Sequence, residues 1–384
     1  MSDPSRVQCA ATLSPGRKTA LFDVALATRN QTALLTAMPH PYTDLPDTAF
    51  WSRTAGVPGF DMRQVSAGND GFVIHATDRI VSAGSCFAQH LARLLPTRGF
   101  NYLVTETGPA DRQFGVYPAR FGNIYTVRQL LQLFERAYGL FAPREHVWRW
   151  CDAYVDPFRP NVEPNGFATL DDLLADRVSH LAAVRRMFEQ CNVFVFTLGM
   201  TEAWISDVDG AVFPLAPGVH GGPEGESDCR FHNFSVPEMV DDLRRLIGNL
   251  RLLNPSVKLV LSVSPVSIAA TYEPRHVLVS NSYTKAALRV VADMVTRDDD
   301  LTSYFPSYEC VAGHHTMGRY FQADMRHVTA EGVRDVVDYF TGLYLAQGPA
   351  TEIPARVSPA AQTTRSERDQ WYEVWCDEEQ LTAP

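Results

Sequence analysis

The chain has 384 residues, of which 45% are hydrophobic and 20% are charged, and its formal net charge is −10. This composition is typical of a soluble globular protein with one large domain or two modest ones. The acidic balance disfavours nucleic acids and anionic membrane surfaces as partners, because both are bound through clustered Lys and Arg side chains.

Strand and helix patterns alternate through the middle of the chain. Residues 78–83 predict a strand, which an amphipathic helix over 86–95 follows directly. Further helices are predicted over 127–140, 170–190, 236–253, 280–295 and 329–345, and buried strands over 193–197 and 258–263. Thr329 is the predicted N-cap of the last helix. This alternation predicts an α/β fold in which helices cover both sides of a mostly parallel sheet, giving three α/β/α layers.

The predicted organisation is one domain between two extensions. Residues 1–47 form the N-terminal extension, 48–347 the domain, and 348–384 the C-terminal extension. Inside the domain, 141–170 and 218–235 fit the alternating pattern poorly. We interpret both as insertions that shape a substrate pocket.

The sequence shows no sign of export, membrane insertion or metal binding. Residues 1–6 lack the apolar run of a secretory signal, and the longest apolar stretches, 192–199 and 257–263, are too short to span a bilayer. The seven cysteines are scattered without a CxxC pair, so neither a disulfide framework nor a zinc site is predicted. We expect a cytoplasmic protein without a cofactor. The aromatic stretch 371–375 either packs on its own domain or pairs with another subunit, which leaves the oligomeric state open.

Gly84-Ser85-Cys86-Phe87-Ala88 lies where the first predicted strand turns into a helix. Ligands of parallel sheets bind beyond the carboxyl ends of the strands, so this turn is a candidate for chemistry. A side chain here faces the positive end of the helix, which lowers the pKa of a thiol and stabilises a developing anion. The simpler interpretation is that Ser85 caps the helix and Cys86 only packs.

Two further segments carry polar groups near predicted element ends. Thr197-Leu198-Gly199-Met200-Thr201-Glu202 follows a buried strand, where glycine permits close backbone approach, although a turn with a capping acid explains it as well. In Asp324-Met325-Arg326-His327, the carboxylate can hold one imidazole nitrogen and leave the other as a general base. About one such pair is expected by chance, and the neighbouring His314-His315, predicted to lie in a loop, competes as a base. The three segments together follow the logic of a catalytic triad on an α/β sheet.

The motifs resemble the GSCFA-domain family, a branch related to the SGNH (GDSL-like) hydrolases. The resemblance begins with Gly84-Ser85-Cys86-Phe87-Ala88 and runs from about residue 48 to about residue 342. The other matching segments are Phe121-Gly122-Asn123-Ile124-Tyr125-Thr126, Thr197-Leu198-Gly199 with Thr201-Glu202-Ala203-Trp204, Ser264-Pro265-Val266, Asn281-Ser282-Tyr283-Thr284-Lys285, Tyr304-Phe305-Pro306-Ser307-Tyr308-Glu309, and Asp324 with His327. The resemblance implies an SGNH-like sheet and acyl chemistry.

The resemblance also implies a nucleophile and its base. SGNH enzymes place the nucleophilic serine third in a Gly-Asp-Ser motif and end with Asp-x-x-His. Aligned without a gap, Cys86 falls on that serine and Ser85 on the aspartate, which favours Cys86 as the nucleophile and leaves Ser85 as the alternative. Asp324 and His327 match the terminal motif as the orienting acid and the base.

The family's oxyanion donors have partial counterparts here. Gly122 or Asn123 matches the donor of the second conserved block. Gly199, Thr201 and Glu202 fall where the wider family has Gly-x-Asn-Asp, so that Thr201 replaces the asparagine. A hydroxyl still donates one hydrogen bond, but the departure weakens the implied oxyanion hole.

The expected function is therefore acyl transfer of the SGNH type through a covalent acyl-enzyme. The enzyme would act as an esterase or an O- or N-acyltransferase on a small or carbohydrate-like substrate, with an acyl thioester as one candidate donor. Two alternatives stay open: a binding protein that kept the fold and lost activity, and an acid/base enzyme in which Glu202 and His327 act without a covalent intermediate.

Overall fold

The computed structural model describes residues 40–68, 71–109, 112–224, 228–344 and 377–382. The chain divides into two compact units, one ending at Val57 and the other beginning at Pro58. The described part of the first unit contains two short 3₁₀ helices, Asp47–Ala49 and Trp51–Arg53. The predicted aromatic stretch 371–375 and most of both predicted extensions lie outside the described residues.

The second unit is built from alternating strands and helices. Its strands are β1 (Arg79–Gly84), β2 (Asn101–Tyr102), β3 (Trp148–Trp150), β4 (Ala153–Val155), β5 (Val193–Leu198), β6 (Glu202–Ser206), β7 (Val212–Phe213), β8 (Cys229–Asn233), β9 (Lys258–Val263) and β10 (Thr302–Phe305). Its α-helices are α1 (Cys86–Leu94), α2 (Val127–Ala137), α3 (Leu170–Gln190), α4 (Val236–Leu253), α5 (Val277–Arg297), α6 (Ser307–Ala312) and α7 (Ala330–Tyr344). Among the described residues, no helix is both long enough and apolar enough to cross a membrane.

Five strands form a parallel sheet in the order β2-β1-β5-β9-β10. Side chains alternate between the two faces of a strand, and in β5 both faces are apolar and buried. Val193 and Val195 pack with α1, α6 and α7, whereas Phe194 and Phe196 pack with α2, α3, α4 and α5. Helices therefore cover both faces, which confirms the predicted three-layer α/β/α architecture.

The helix ends agree with the predicted boundaries within a few residues. Ser235 caps α4 in a capping box with Glu238, and Thr169 caps α3 by accepting from the N–H of Asp172. Thr329 accepts from the N–H of Gly332 at 3.1 Å, which confirms it as the cap of α7. The predicted loop at 314–316 is a single 3₁₀ turn that contains both His314 and His315.

Short strands escaped the sequence-based prediction. β6 pairs antiparallel with both β7 and β8, and β3 and β4 form a hairpin in the stretch that we interpreted as an insertion. Each has two to five residues, too few for an alternating pattern to be distinguished from a loop. β2 and β10 were missed for the same reason.

The order of the parallel strands locates the switch point of the sheet, where the connections from two neighbouring strands lead to opposite faces. The helix that follows β1 packs on one face of the sheet, and the helix that follows β5 packs on the other. The two connections therefore diverge from neighbouring strands, and sheets of this order bind ligands at that switch point. The carboxyl ends of β1 and β5 are where a functional site is expected.

Candidate active site

The chain turns sharply at the carboxyl end of β1. Gly84 has a φ of +149°, and a Cβ atom there would lie 2.5 Å from the carbonyl oxygen of Thr197 in β5. Any larger residue would push the two strands apart, so glycine is required. Ser85 follows as the N-cap of α1, and Cys86 is the first residue of the helix.

Ser85 and Cys86 are both buried but differ in their surroundings. The side chain of Ser85 makes no capping hydrogen bond, and its Oγ has no hydrogen-bond partner among the described residues. Leaving a buried hydroxyl unsatisfied costs about 1–3 kcal/mol, so its retention calls for an explanation. Cys86 belongs to the apolar layer of α1, α6 and α7, where it packs with Phe87 and Leu91.

A polar cluster lies against the turn. The hydroxyl of Tyr117 lies 3.1 Å from the carbonyl oxygens of Gly84 and Ser85 and 2.8 Å from Oδ1 of Asn123. Gln89 of α1 also donates to Asn123 Oδ1, at 3.0 Å. These contacts fix the carboxamide of Asn123 and leave its Nδ2 to donate to Asp377.

Gly199, at the carboxyl end of β5, lies next to Ser85. A Cβ atom on Gly199 would lie 3.1 Å from the Cβ of Ser85, so glycine gives this side chain its space. The carbonyl oxygen of Gly199 accepts from Nζ of Lys285, a buried residue of α5, at 3.1 Å. Gly122 has a φ of +73° and serves the turn before α2.

Thr201 and Glu202 take part in other contacts. The Thr201 hydroxyl forms a hydrogen bond with the Thr284 hydroxyl at 3.1 Å. The Glu202 carboxylate accepts from the Thr271 hydroxyl at 2.7 Å and from the N–H of Tyr272 at 3.2 Å. Both carboxylate contacts are with the loop after β9.

The predicted pair Asp324 and His327 is formed. The Asp324 carboxylate holds Nδ1 of His327 and also accepts from the N–H groups of Arg326 and His327 at 3.0 and 3.1 Å. Burial opposes ionisation of Asp324, but these hydrogen bonds outweigh burial and lower its pKa to about 2. Nε2 of His327 lies 2.9 Å from the guanidinium of Arg326 and 3.0 Å from the carboxylate of Glu379.

Two cations that the sequence did not single out complete the site. Burial lowers the pKa of Lys285 to about 8, while the negative charges of Glu378 and Cys86 act in the opposite direction. Arg326 donates to the Ser267 carbonyl at 3.1 Å and to Glu378 at 3.0 Å. The sequence could have indicated that Lys285 is buried, because Lys285 shares a helix face with Leu288 and Ala292, which are fully buried.

Residues Asp377–Thr382 form a short 3₁₀ helix that lies against the same groups. Asp377 accepts from Asn123 Nδ2 at 2.9 Å, from Asn161 Nδ2 at 2.6 Å and from the Tyr125 hydroxyl at 3.3 Å. Glu378 pairs with Arg326 at 3.0 Å, as Glu379 does with His327. No motif in the sequence indicated that this segment would return to the sheet.

These contacts join the predicted residues into one cluster. Asp377 touches Asn123 and Glu379 touches His327, and two residues of chain span at most about 7 Å. The segment 377–379 therefore contacts both the polar cluster beside the turn after β1 and the imidazole. We call this set the switch-point cluster, and its members are Ser85, Cys86, Asn123, Gly199, Lys285, Arg326 and His327.

Within the described ranges, no group of three or more His, Cys, Asp or Glu side chains is placed to hold a metal ion.

Comparison with curated proteins finds no match. The model of the GSCFA family matches residues 79–340, more than half of the chain. The chain therefore belongs to the GSCFA family.

Proposed function

We propose that the protein transfers acyl groups through a covalent acyl-enzyme at the switch-point cluster. One observation carries the proposal: a buried hydroxyl without a partner among the described residues and a thiol are adjacent at a helix start, and residues 377–379 link the polar cluster beside them to an imidazole that a carboxylate orients. This combination supplies a nucleophile, a base and the group that orients the base. The related SGNH hydrolases, which the sequence motifs resemble, use the same three parts.

Cys86 is the favoured nucleophile. It is the first residue of α1, where the helix dipole stabilises a thiolate, and the cation of Lys285 lies within electrostatic reach. Ser85 is the alternative, supported by its unsatisfied hydroxyl and by the space that Gly199 leaves beside it.

The proposed reaction begins when the nucleophile adds to the acyl carbonyl and its proton passes to Nε2 of His327. Asp324 holds Nδ1 and stabilises the resulting imidazolium. Collapse of the tetrahedral adduct breaks the bond to the leaving group, which takes the proton from the imidazolium. Water, or a hydroxyl or amine of a small or carbohydrate-like acceptor, then attacks the acyl-enzyme in the reverse sequence, and no cofactor is needed.

The negative oxygen of the adduct needs hydrogen-bond donors. The N–H of Cys86 and Nδ2 of Asn123 are the candidates, since Nδ2 already binds the oxygen of a carboxylate. Removing one such donor typically costs about 2.7–4 kcal/mol of transition-state stabilisation. Nε2 of His327 contacts both the Glu379 carboxylate and the Arg326 guanidinium, and both groups have to move away before that nitrogen can accept a proton.

Intact-mass analysis after exposure to acetyl-CoA or p-nitrophenyl acetate tests the proposal. We expect one acetyl adduct on the parent protein, its loss in Cys86→Ala, its retention in Ser85→Ala and a strongly slowed reaction in His327→Ala. Cys151→Ala is the matched control, because Cys151 is an exposed thiol far along the chain from the motif. The converse pattern, loss only in Ser85→Ala, would identify serine as the nucleophile.

The alternatives make different predictions for the same measurement. A binding protein that retained only the fold gives no adduct with either reagent. An acid/base enzyme that uses Glu202 and His327 also gives none, and it loses activity in Glu202→Gln. The contacts of Glu202 with Thr271 and Tyr272 favour the acyl-enzyme over this alternative.

A further inference from the structure

The residues that contact the switch-point cluster from outside the matched family region are consecutive acids. We call Asp377, Glu378 and Glu379 the acidic segment. Each of the three carboxylates has its own partner in the fold, respectively the amide of Asn123, the guanidinium of Arg326 and the imidazole of His327. A random contact of a terminal segment would not be expected to match every side chain in turn.

Three neutral donors hold Asp377. Its carboxylate is 5% exposed and accepts from two side-chain amides, Asn123 and Asn161, and from the hydroxyl of Tyr125. Burying an isolated carboxylate is costly unless hydrogen bonds replace its water. Three donors directed at one carboxylate therefore constitute a built site for that group.

Glu378 is held by charge. It is also 5% exposed, pairs with Arg326 at 3.0 Å and lies within electrostatic reach of Lys285. Because Lys285 also lies within electrostatic reach of Cys86, and Arg326 contacts His327, this second carboxylate site is part of the candidate active site.

The contacts between the segment and the domain also include an uncharged side chain. Gln380, the next residue, donates to Oδ1 of Asn161 at 3.1 Å, so that Asn161 binds the side chains of residues 377 and 380. Side chains three apart lie on the same face of a helical turn. The site thus binds a turn of polypeptide that carries two adjacent carboxylate side chains. A single small acid cannot make the same set of contacts.

We propose that the switch-point cluster, together with Tyr125 and Asn161, binds an acidic peptide through two successive carboxylate side chains, and that residues 377–382 occupy this site as an intramolecular ligand. The proposal concerns a ligand that engages Asn123 Nδ2 and His327 Nε2, and it rests on the proposed function only for the consequence that the bound peptide blocks these two groups. While the segment is bound, it engages Asn123 Nδ2 and His327 Nε2, so an external peptide has to displace it.

A full-length variant with a neutralised segment tests the proposal. Asp377→Asn, Glu378→Gln and Glu379→Gln are combined, and a fluorescently labelled peptide with the sequence of residues 377–382 is titrated by anisotropy. The matched control combines Asp241→Asn, Asp300→Asn and Glu331→Gln, which change the net charge equally at exposed positions. We expect the neutralised variant to bind the peptide about tenfold more tightly, or better, than the parent and the control, because the competing segment is weakened.

Two further titrations identify the recognised feature. A peptide with Asn-Gln-Gln in place of Asp-Glu-Glu should bind at least about tenfold more weakly. Adding Arg326→Gln to the neutralised variant should weaken binding of the acidic peptide by a similar factor. The Glu379→Gln variant alone gives an independent reading with minimal disturbance, and we expect a smaller gain in the same direction.

Equal binding by the parent, the control and the neutralised variant would overturn the proposal, as would equal binding of the acidic and the amide peptides. Circular dichroism and thermal melting establish that each variant is folded. Because anisotropy reports binding without chemistry, a variant that binds the peptide but never forms an acyl adduct refutes the proposed function alone. An adduct without peptide binding refutes only this inference.

Discussion

Among the described residues, two regions that contain buried charges neutralise them differently. The first, which we call the ion cluster, consists of Arg120, Asp156, Arg159, Glu163 and Asp176. Arg159 pairs with Asp156 at 2.9 Å and with Asp176 at 2.5 Å, and Arg120 pairs with Glu163 at 2.7 Å. All its partners lie within one stretch of the domain. In the switch-point cluster, the carboxylate that pairs with Arg326 comes from residues 377–382 instead.

The pKa shifts separate the two regions further. Burial opposes ionisation of Asp156, but Arg177, Arg159 and Arg136 outweigh it and hold its pKa far below the usual range. At Lys285 burial dominates and the pKa falls. Buried charges of the ion cluster are thus matched by neighbours within the domain, whereas the charges proposed to bind a ligand are matched by the segment that the ligand would displace.

The largest expected effect comes from the ion cluster. Asp156→Asn removes a carboxylate that faces several arginines, and breaking a buried pair in this way costs about 3–5 kcal/mol. Urea unfolding should show that loss. The control Asp298→Asn breaks an exposed pair with Arg244 and should change the free energy of unfolding by about 1 kcal/mol or less. A loss below that of the control would erase the distinction between the two regions.

Backbone packing at the switch point gives the next largest effect. Gly84→Ala forces a Cβ to within 2.5 Å of the Thr197 carbonyl oxygen, and overpacking of this kind costs about 1–3 kcal/mol. It should also abolish acyl-adduct formation, because Ser85 and Cys86 move with the turn. Gly248→Ala in α4, where nothing lies within 4 Å, is the control and should stabilise the protein by up to about 1 kcal/mol. Retained stability and reactivity in Gly84→Ala would contradict the described turn.

The ionisation of Lys285 tests the comparison between the two regions through the pH dependence of stability. Its folded pKa of about 8 lies below the ordinary value of 10.5, so between these pH values the unfolded chain holds more protons than the folded one. The free energy of unfolding should therefore rise with pH across this window, by at most about 1.4 kcal/mol per pH unit. Lys285→Met should remove that rise. Parallel stability curves for the parent and the variant, measured by denaturant unfolding, would show that Lys285 is not buried as described.

The smallest effect is expected at Arg326. Arg326→Gln removes the guanidinium that pairs with Glu378, and we expect the segment that carries Glu378 to detach as proposed, so that the penalty is limited to local opening. The free energy of unfolding should fall by no more than about 1 kcal/mol, well below the loss in Asp156→Asn. A comparable loss in both variants would mean that residues 377–382 are as integral to the fold as the ion cluster. Calorimetry and urea unfolding of both proteins give the comparison.

Local patterns allowed much of the fold to be predicted. Helices such as α3 and α4 and the apolar strands β5 and β9 are long enough for periodicity to identify them. The site residues that sequence reasoning found are likewise close in the chain, as Asp324 and His327 are. Asn123 entered only through the family resemblance.

What escaped prediction depends on contacts between distant parts of the chain. Asn123 and Asp377 are 254 residues apart, and Asn161 and Asp377 are 216 apart. Nothing in a local pattern reports such pairs. Thr201 and Glu202 illustrate the converse, because they lie beside Gly199 in sequence, yet the turn into β6 directs them to Thr284 and Thr271.

The five-stranded sheet has a consequence for how the protein behaves at high concentration. Its outermost strands, β2 and β10, have two and four residues, whereas each of the three interior strands has six. Short borders leave few unpaired backbone groups onto which a strand from a second molecule could add. The short borders of this sheet therefore limit edge-to-edge aggregation through it.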